Sequence, residues 1–174
     1  ASCPPDSISL CGNGEPTLHP DFARLATNVI EIRNRHLPEA KVGVFSTGAT
    51  LEQPEVFRAL CQLDSRYMKL DAGNEAMFSA INRPEEILTL DKIVKNIRRL
   101  AGVVPVTVQT MFVQGSVDNT RGEEIESWLE KLALIIPSEV HLYSLDRRPV
   151  DSRLRPAPLS LLESIAEKTR RELG

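Results

Sequence analysis

Strand-like and helix-like stretches alternate along this chain, and that alternation limits the possible folds more than any other feature. Ile8–Leu10, Lys41–Ser46, Tyr67–Asp71, Val104–Val113 and Val140–Leu145 read as short apolar strands. Helical periodicity follows each of them. The first helix is expected over Asp21–Arg35, with Phe22, Leu25, Ala26, Val29 and Ile32 as its apolar stripe. Gln53–Leu60 and Glu75–Ile81 are shorter. Thr89 or Asp91 opens a long helix to Ala101, and Gly122–Ile136 and Leu159–Leu173 complete the series. Repeated β-α units with buried strands predict an α/β fold with parallel pairing and helices outside. Periodicity leaves two architectures open, a doubly wound sheet and a portion of a β/α barrel.

A length of 174 residues suits a single domain, 1–174, that buries roughly 70% of its unfolded surface. A net charge of −3 argues against nonspecific binding to nucleic acid or to an anionic membrane. Nothing resembles a signal peptide or a membrane span, so a cytoplasmic setting is expected. The cysteines, Cys3, Cys11 and Cys61, have neither zinc nor Cys-x-x-Cys spacing, and their odd number argues against a disulfide framework. His19, His36 and His141 lack partners at metal-ligand spacing and read as packed or exposed side chains, so no metal site is expected.

The stretch from Ile8 to Pro20 carries the most chemistry. A strand ends at Cys11, and Gly12-Asn-Gly-Glu-Pro16 breaks it. The glycines permit positive φ or close approach of a ligand, and Pro16 withholds a ladder donor. Such a loop at a strand's carboxyl end is where α/β folds hold small ligands. Gly-Asn-Gly-Glu-Pro-Thr-Leu-His-Pro-Asp-Phe resembles the Gly-Gly-Glu-Pro segment of radical S-adenosylmethionine (SAM) enzymes, with Asn13 in place of the first glycine. It looks closest to the iron–sulfur oxidoreductases of the wyosine, tRNA-modifying branch. The likeness spans nearly the whole chain, but only Gly14-Glu15-Pro16 is specific.

That resemblance implies a partial TIM-like (β/α) barrel of six units, of which these five would be the second through sixth. It places Asn13, Gly14, Glu15 and Pro16 around the cationic amino group of SAM. In the family, a first unit with Cys-x-x-x-Cys-x-x-Cys holds a [4Fe–4S] cluster, and SAM reduced through it yields a 5′-deoxyadenosyl radical. No such spacing occurs here. The expectation is therefore a truncated core that does not cleave SAM alone, with catalytic residues unknown. The alternatives are a non-catalytic SAM- or nucleotide-binding module and an assembly module whose open barrel edges favour self-association.

Further candidates stand at the other strand ends. Ser46 and Thr47 either donate to a ligand or cap a turn. Lys69 and Asp71 flank Leu70 and so share a face, where buried charges are costly unless they serve a ligand. Met111-Phe-Val-Gln-Gly115 loosely matches the family's Gly-x-Ile-x-Gly run beside adenine, and Gln109 shares the face of Met111. Asn119 is a candidate for the substrate side, and Tyr143 for adenine. Arg147, Arg148, Arg153 and Arg155 either form a solvated loop or contact RNA phosphate. The substrate class, whether small molecule, peptide or tRNA, stays open.

Overall fold

A computed structural model describes residues 3–85 and 87–174. The elements, in order, are β1 (Ser7–Leu10), α1 (Phe22–His36), β2 (Lys41–Ser46), α2 (Pro54–Gln62), β3 (Ser65–Lys69), α3 (Glu75–Asn82), α4 (Leu90–Ala101), β4 (Thr107–Met111), β5 (Val113–Gly115), α5 (Gly122–Ile135), β6 (Glu139–Tyr143), β7 (Leu154–Pro156) and α6 (Leu159–Leu173).

Five strands form one sheet in the order β1-β2-β3-β4-β6, every pair parallel. A doubly wound sheet reverses its order partway. Here the order follows the chain without reversal, and the architecture is that of a partial barrel. The helices contribute to one continuous core, in which Val42, Val44, Met68 and Val108 meet Phe22, Leu60, Ile97, Trp128 and Ile165. Local chemistry sets the helix starts: the Asn74 side chain accepts the Met77 N–H at 2.9 Å, and Thr89 caps α4 through the Lys92 N–H.

β3 and β4 are buried on one face only. Along β3 and β4, buried Arg66, Met68, Val108 and Thr110 alternate with half-buried Tyr67, Lys69, Gln109 and Met111. The second set faces the concave side of the barrel, where no helix packs. The α1 stripe is displaced. Phe22 and Ala26 are buried, whereas Leu25 is 37% and Ile32 59% exposed, because α1 packs against α2 and β2 and, among the described residues, β1 is the edge of the sheet.

The strand expected over Val104–Val113 is two strands. At Phe112 the chain leaves β4, with the Phe112 N–H donating to the Tyr143 carbonyl at 2.9 Å. Then β5 pairs antiparallel with β7 in a separate ribbon. Three residues ending in proline carry too little alternation to announce β7 beforehand.

Candidate functional site

Parallel strands splay at their carboxyl ends, where the ladder runs out, and side chains replace it as ties. Glu15 joins β1 to β2. Its Oε1 accepts from the Thr17 N–H at 3.2 Å and hydroxyl at 2.6 Å, and its Oε2 from the Thr47 N–H at 2.6 Å and hydroxyl at 2.8 Å. Four donors use the accepting capacity of the carboxylate. Asp71 joins β3 to β4, its Oδ1 accepting the Met111 N–H at 2.7 Å. Asn119 does the same one step further. Its amide donates to the carbonyls of Asp71 at 2.9 Å and Met111 at 2.8 Å, and its oxygen accepts the Val113 N–H at 2.8 Å. Asn119 is therefore a buried clamp rather than a lining residue of the substrate side.

Glu15 and Pro16 sit half-buried at the mouth, while Gly12, Asn13 and Gly14 are exposed. Neither Gly12 nor Gly14 adopts positive φ, which corrects one of the two reasons given for them. A Cβ at either position would meet nothing within 4 Å. The fold itself makes no steric demand for glycine at either position. Ser46 and Thr47 act as caps: the Ser46 hydroxyl accepts the Gly48 N–H at 3.0 Å, and Thr47 is held by Glu15.

The concave face collects the remaining candidates. Register sets Lys69 opposite Gln109 and Gln109 opposite His141, with Met111 opposite Tyr143 on the rung above. Lys69 Nζ lies 3.5 Å from Asp71 Oδ1 and donates to the Tyr143 hydroxyl, its charge 4.4 Å from that ring's centroid. The side chain of Asp71 is 4% exposed, and burial pushes its carboxyl above the usual range despite the pull of Lys69 and the Met111 N–H. Lys69, Asp71 and Asn82 border one small cavity, and the buried Asn82 Oδ1 has no hydrogen-bond partner among the described residues. Below them, the rings of Phe45 and Tyr67 stack at 4.7 Å, and His141 tilts against Tyr67 at 5.9 Å. The position of His141 on this face was missed because a lone histidine in a strand gives no facing without a register.

Gly115 lies apart, at the end of β5. Its φ is +113°, and a Cβ there would sit 2.1 Å from the Arg153 carbonyl oxygen, so the ribbon crossing explains this glycine. Of the arginines, Arg153 is tied to Asp151 by its backbone N–H and its guanidinium, all at 3.0 Å. Arg147, Arg148 and Arg155 are exposed. Among the described residues, no group of three His, Cys, Asp or Glu side chains could hold a metal ion. No helix there is long and apolar enough to cross a membrane.

No protein-family model matches the chain. Part of a protein named GTPase Obg from Brachyspira hyodysenteriae is 26% identical over 151 residues, 86% of this chain and 21% of that protein. A UPF0026 protein of Synechocystis is 31% identical over 157 residues, 88% of this chain and 52% of that protein. The chain thus spans between about a fifth and about half of the curated relatives it matches. The phosphate loop Gly-x4-Gly-Lys-Ser/Thr of many GTPases does not occur in this sequence.

Among solved structures, TYW1 with a lysine-pyruvate adduct bound superposes with a TM-score of 0.74 at 17% identity, over 96% of this chain and 50% of that one. A domain of pyruvate-formate lyase-activating enzyme from Bacteroides vulgatus gives 0.70 at 18%, over 95% and 93%. SuiB of Streptococcus suis, bound to S-adenosylmethionine, gives 0.69 at 14%, over 94% and 36%. At these identities the likeness shows a common fold.

Proposed function

We propose, from the partial barrel that this chain shares with radical SAM enzymes, that it is the SAM-holding core of such an enzyme. One observation carries the reading: the exposed loop Gly12-Asn13-Gly14 leads into Glu15, which ties it to the carboxyl end of β2 through Thr47, and a Cβ on either glycine would meet open space. With its carboxylate already holding four donors, Glu15 positions the loop. The exposed loop carbonyls are the groups left to receive a cationic amino group, and that donor set fits the amino end of SAM. On this reading Asp71, Met111 and Tyr143, at the carboxyl ends of the neighbouring strands, would stand next to the bound cofactor.

The chain's own residues do not fit the cluster. Cys3, Cys11 and Cys61 lack the spacing of three convergent thiolates, and Cys3 and Cys11 are exposed. In a complete enzyme the ligands would come from outside these residues. The free edge of β1, beside half-buried Ile8 and Leu10 and exposed Leu25 and Ile32, suits one further β/α unit there. SAM then supplies one-electron chemistry, while this chain binds and orients.

The test is calorimetric titration of SAM into the chain and into Gly14→Val. The added side chain meets no protein atom near its Cβ, so the variant should melt like the parent while losing at least tenfold in SAM affinity. Equal affinity, or no binding by either chain, defeats the reading. Joined to a family unit carrying Cys-x-x-x-Cys-x-x-Cys, the chain should turn brown on anaerobic iron–sulfide reconstitution.

A further inference from the structure

We infer that Thr50 and Asn96, which lie outside the Gly12–Gly14 loop, are positioning residues that set the loop's affinity for a cationic amino group. The inference rests on the reading of that loop as SAM-holding and extends it to the groups that aim Glu15. Thr17, in the 3₁₀ turn Pro16–Leu18, and Thr50, in the turn after β2, are both buried. The Thr17 hydroxyl lies 2.6 Å from Glu15 Oε1 and also bonds to the Thr50 hydroxyl. A carboxylate only accepts, so the Thr17 O–H donates to Glu15 and its oxygen receives the Thr50 O–H. Glu15 Oε2 is taken by Thr47, in the same turn as Thr50. One turn therefore governs both carboxylate oxygens, directly on one side and through Thr17 on the other.

That turn is itself fixed from α4. Asn96 shares the buried face of this helix with Ile93, Ile97 and Leu100, and its amide donates to the Gly48 carbonyl at 3.0 Å. Gly48 has a φ of +78°, and a Cβ there would meet the Ile97 side chain at 3.2 Å, so the turn lies directly against the helix. An amide on an apolar helix face and a buried pair of hydroxyls carry desolvation costs that aliphatic side chains would avoid. Their hydrogen bonds lead in one direction. Asn96 holds Gly48, the turn carries Thr47 and Thr50, and these hold the carboxylate of Glu15. What the arrangement secures is the orientation of Glu15 and of the three residues before it. An amino group received by loop carbonyls is sensitive to that orientation, because hydrogen bonds weaken steeply as they bend.

The test pairs two substitutions at one position in the whole 174-residue chain. Thr50→Val keeps the shape and removes the hydroxyl; Thr50→Ser keeps the hydroxyl and removes a methyl group. In calorimetric titration with SAM, Thr50→Val should bind about three- to tenfold more weakly than the parent, the worth of one hydrogen bond, and Thr50→Ser within about twofold of it. Affinity should follow the hydroxyl and not the melting temperatures of the two variants. In the ligand-free chain, backbone amide NMR signals of Gly12, Asn13 and Gly14 should move in Thr50→Val and in Asn96→Leu, and keep their parent positions in Thr50→Ser. If Asn96→Leu does not fold, Asn96→Ala takes its place. Equal SAM affinity of Thr50→Val and the parent, a loss that Thr50→Ser shares, or loop signals unmoved in Thr50→Val would overturn the positioning role. Signals that move at Gly48 but not at Gly12–Gly14 in the Asn96 variant would remove Asn96 from it. Absence of SAM binding by the parent defeats the reading of the loop, while the ligand-free signals still decide the positioning.

Discussion

Two carboxylates at the mouth carry opposite obligations. Glu15 accepts from four donors; Asp71 is buried and only partly compensated. Replacing Glu15 by Gln puts an amide NH2 against a backbone or hydroxyl donor. The expected cost is roughly 1–3 kcal/mol, a melting decrease of about 3–10 °C for a chain of this size. An unchanged melting temperature would contradict the tie between β1 and β2. For Asp71, burial holds the proton to higher pH than in the unfolded chain, where aspartate titrates near ~3.9. Between those two pH values the folded state binds more protons, so this group's contribution to stability falls as pH rises and levels off above the raised value. Asp71→Asn removes that titration and keeps an oxygen for the Met111 N–H. The melting temperature of the variant minus that of the parent should therefore grow from about pH 4 upward to a plateau; a constant difference counts against a buried, proton-retaining carboxyl.

Among the elements, α5 is the one that locks the mouth in place. The Trp128 indole N–H donates to the Leu70 carbonyl at 3.2 Å and the Thr110 hydroxyl oxygen at 3.0 Å, bonding directly to the ends of two strands. The chain after β3 passes so close to this helix that a Cβ on Gly73 would lie 2.0 Å from the Trp128 backbone nitrogen. Only backbone lies in the way, so Gly73→Ala has no flexible side chain to displace. Its cost should reach or exceed the ~1–3 kcal/mol typical of overpacked cores. Urea unfolding measures it, and a loss under half a kcal/mol would mean that the helix can move away freely. The buried Arg66 plays a similar part at the opposite end of the sheet. Its guanidinium donates to the carbonyls of Leu60 at 2.8 Å and Pro105 at 3.0 Å, as well as Leu63, and burial draws its pKa down from the usual arginine range.

For the molecule as a whole, the open question in the fold is the β1 side. A parallel sheet normally has helices or a closed barrel over each face. Here one face is covered, the other forms a concave surface, and the β1 edge ends beside exposed Leu18, Leu25 and Ile32. The proposed preceding unit gives a direct comparison. Ile32→Lys should leave the melting temperature of this chain nearly unchanged. In a polypeptide extended upstream by that unit, the same substitution should lower it by several degrees, since burying an unpaired charge is costly. Equal effects in both contexts would place the added unit elsewhere.

Much of the architecture was legible from short-range chemistry. Apolar spacing marked five strands and their helices, and Asn74 and Thr89 act on donors three residues away. Alternation placed Lys69 and Asp71 on one face. Spacing along a chain says nothing, however, of what lies across from a strand. The uninterrupted strand order separated a partial barrel from a doubly wound sheet, and the displaced face of α1 followed from its neighbours. Glu15 to Thr47 spans 32 residues and Asn119 to Asp71 spans 48, so those ties exist only once distant strand ends are brought together. Local pattern determines which residues point the same way along one element; pairing between elements decides which of them meet.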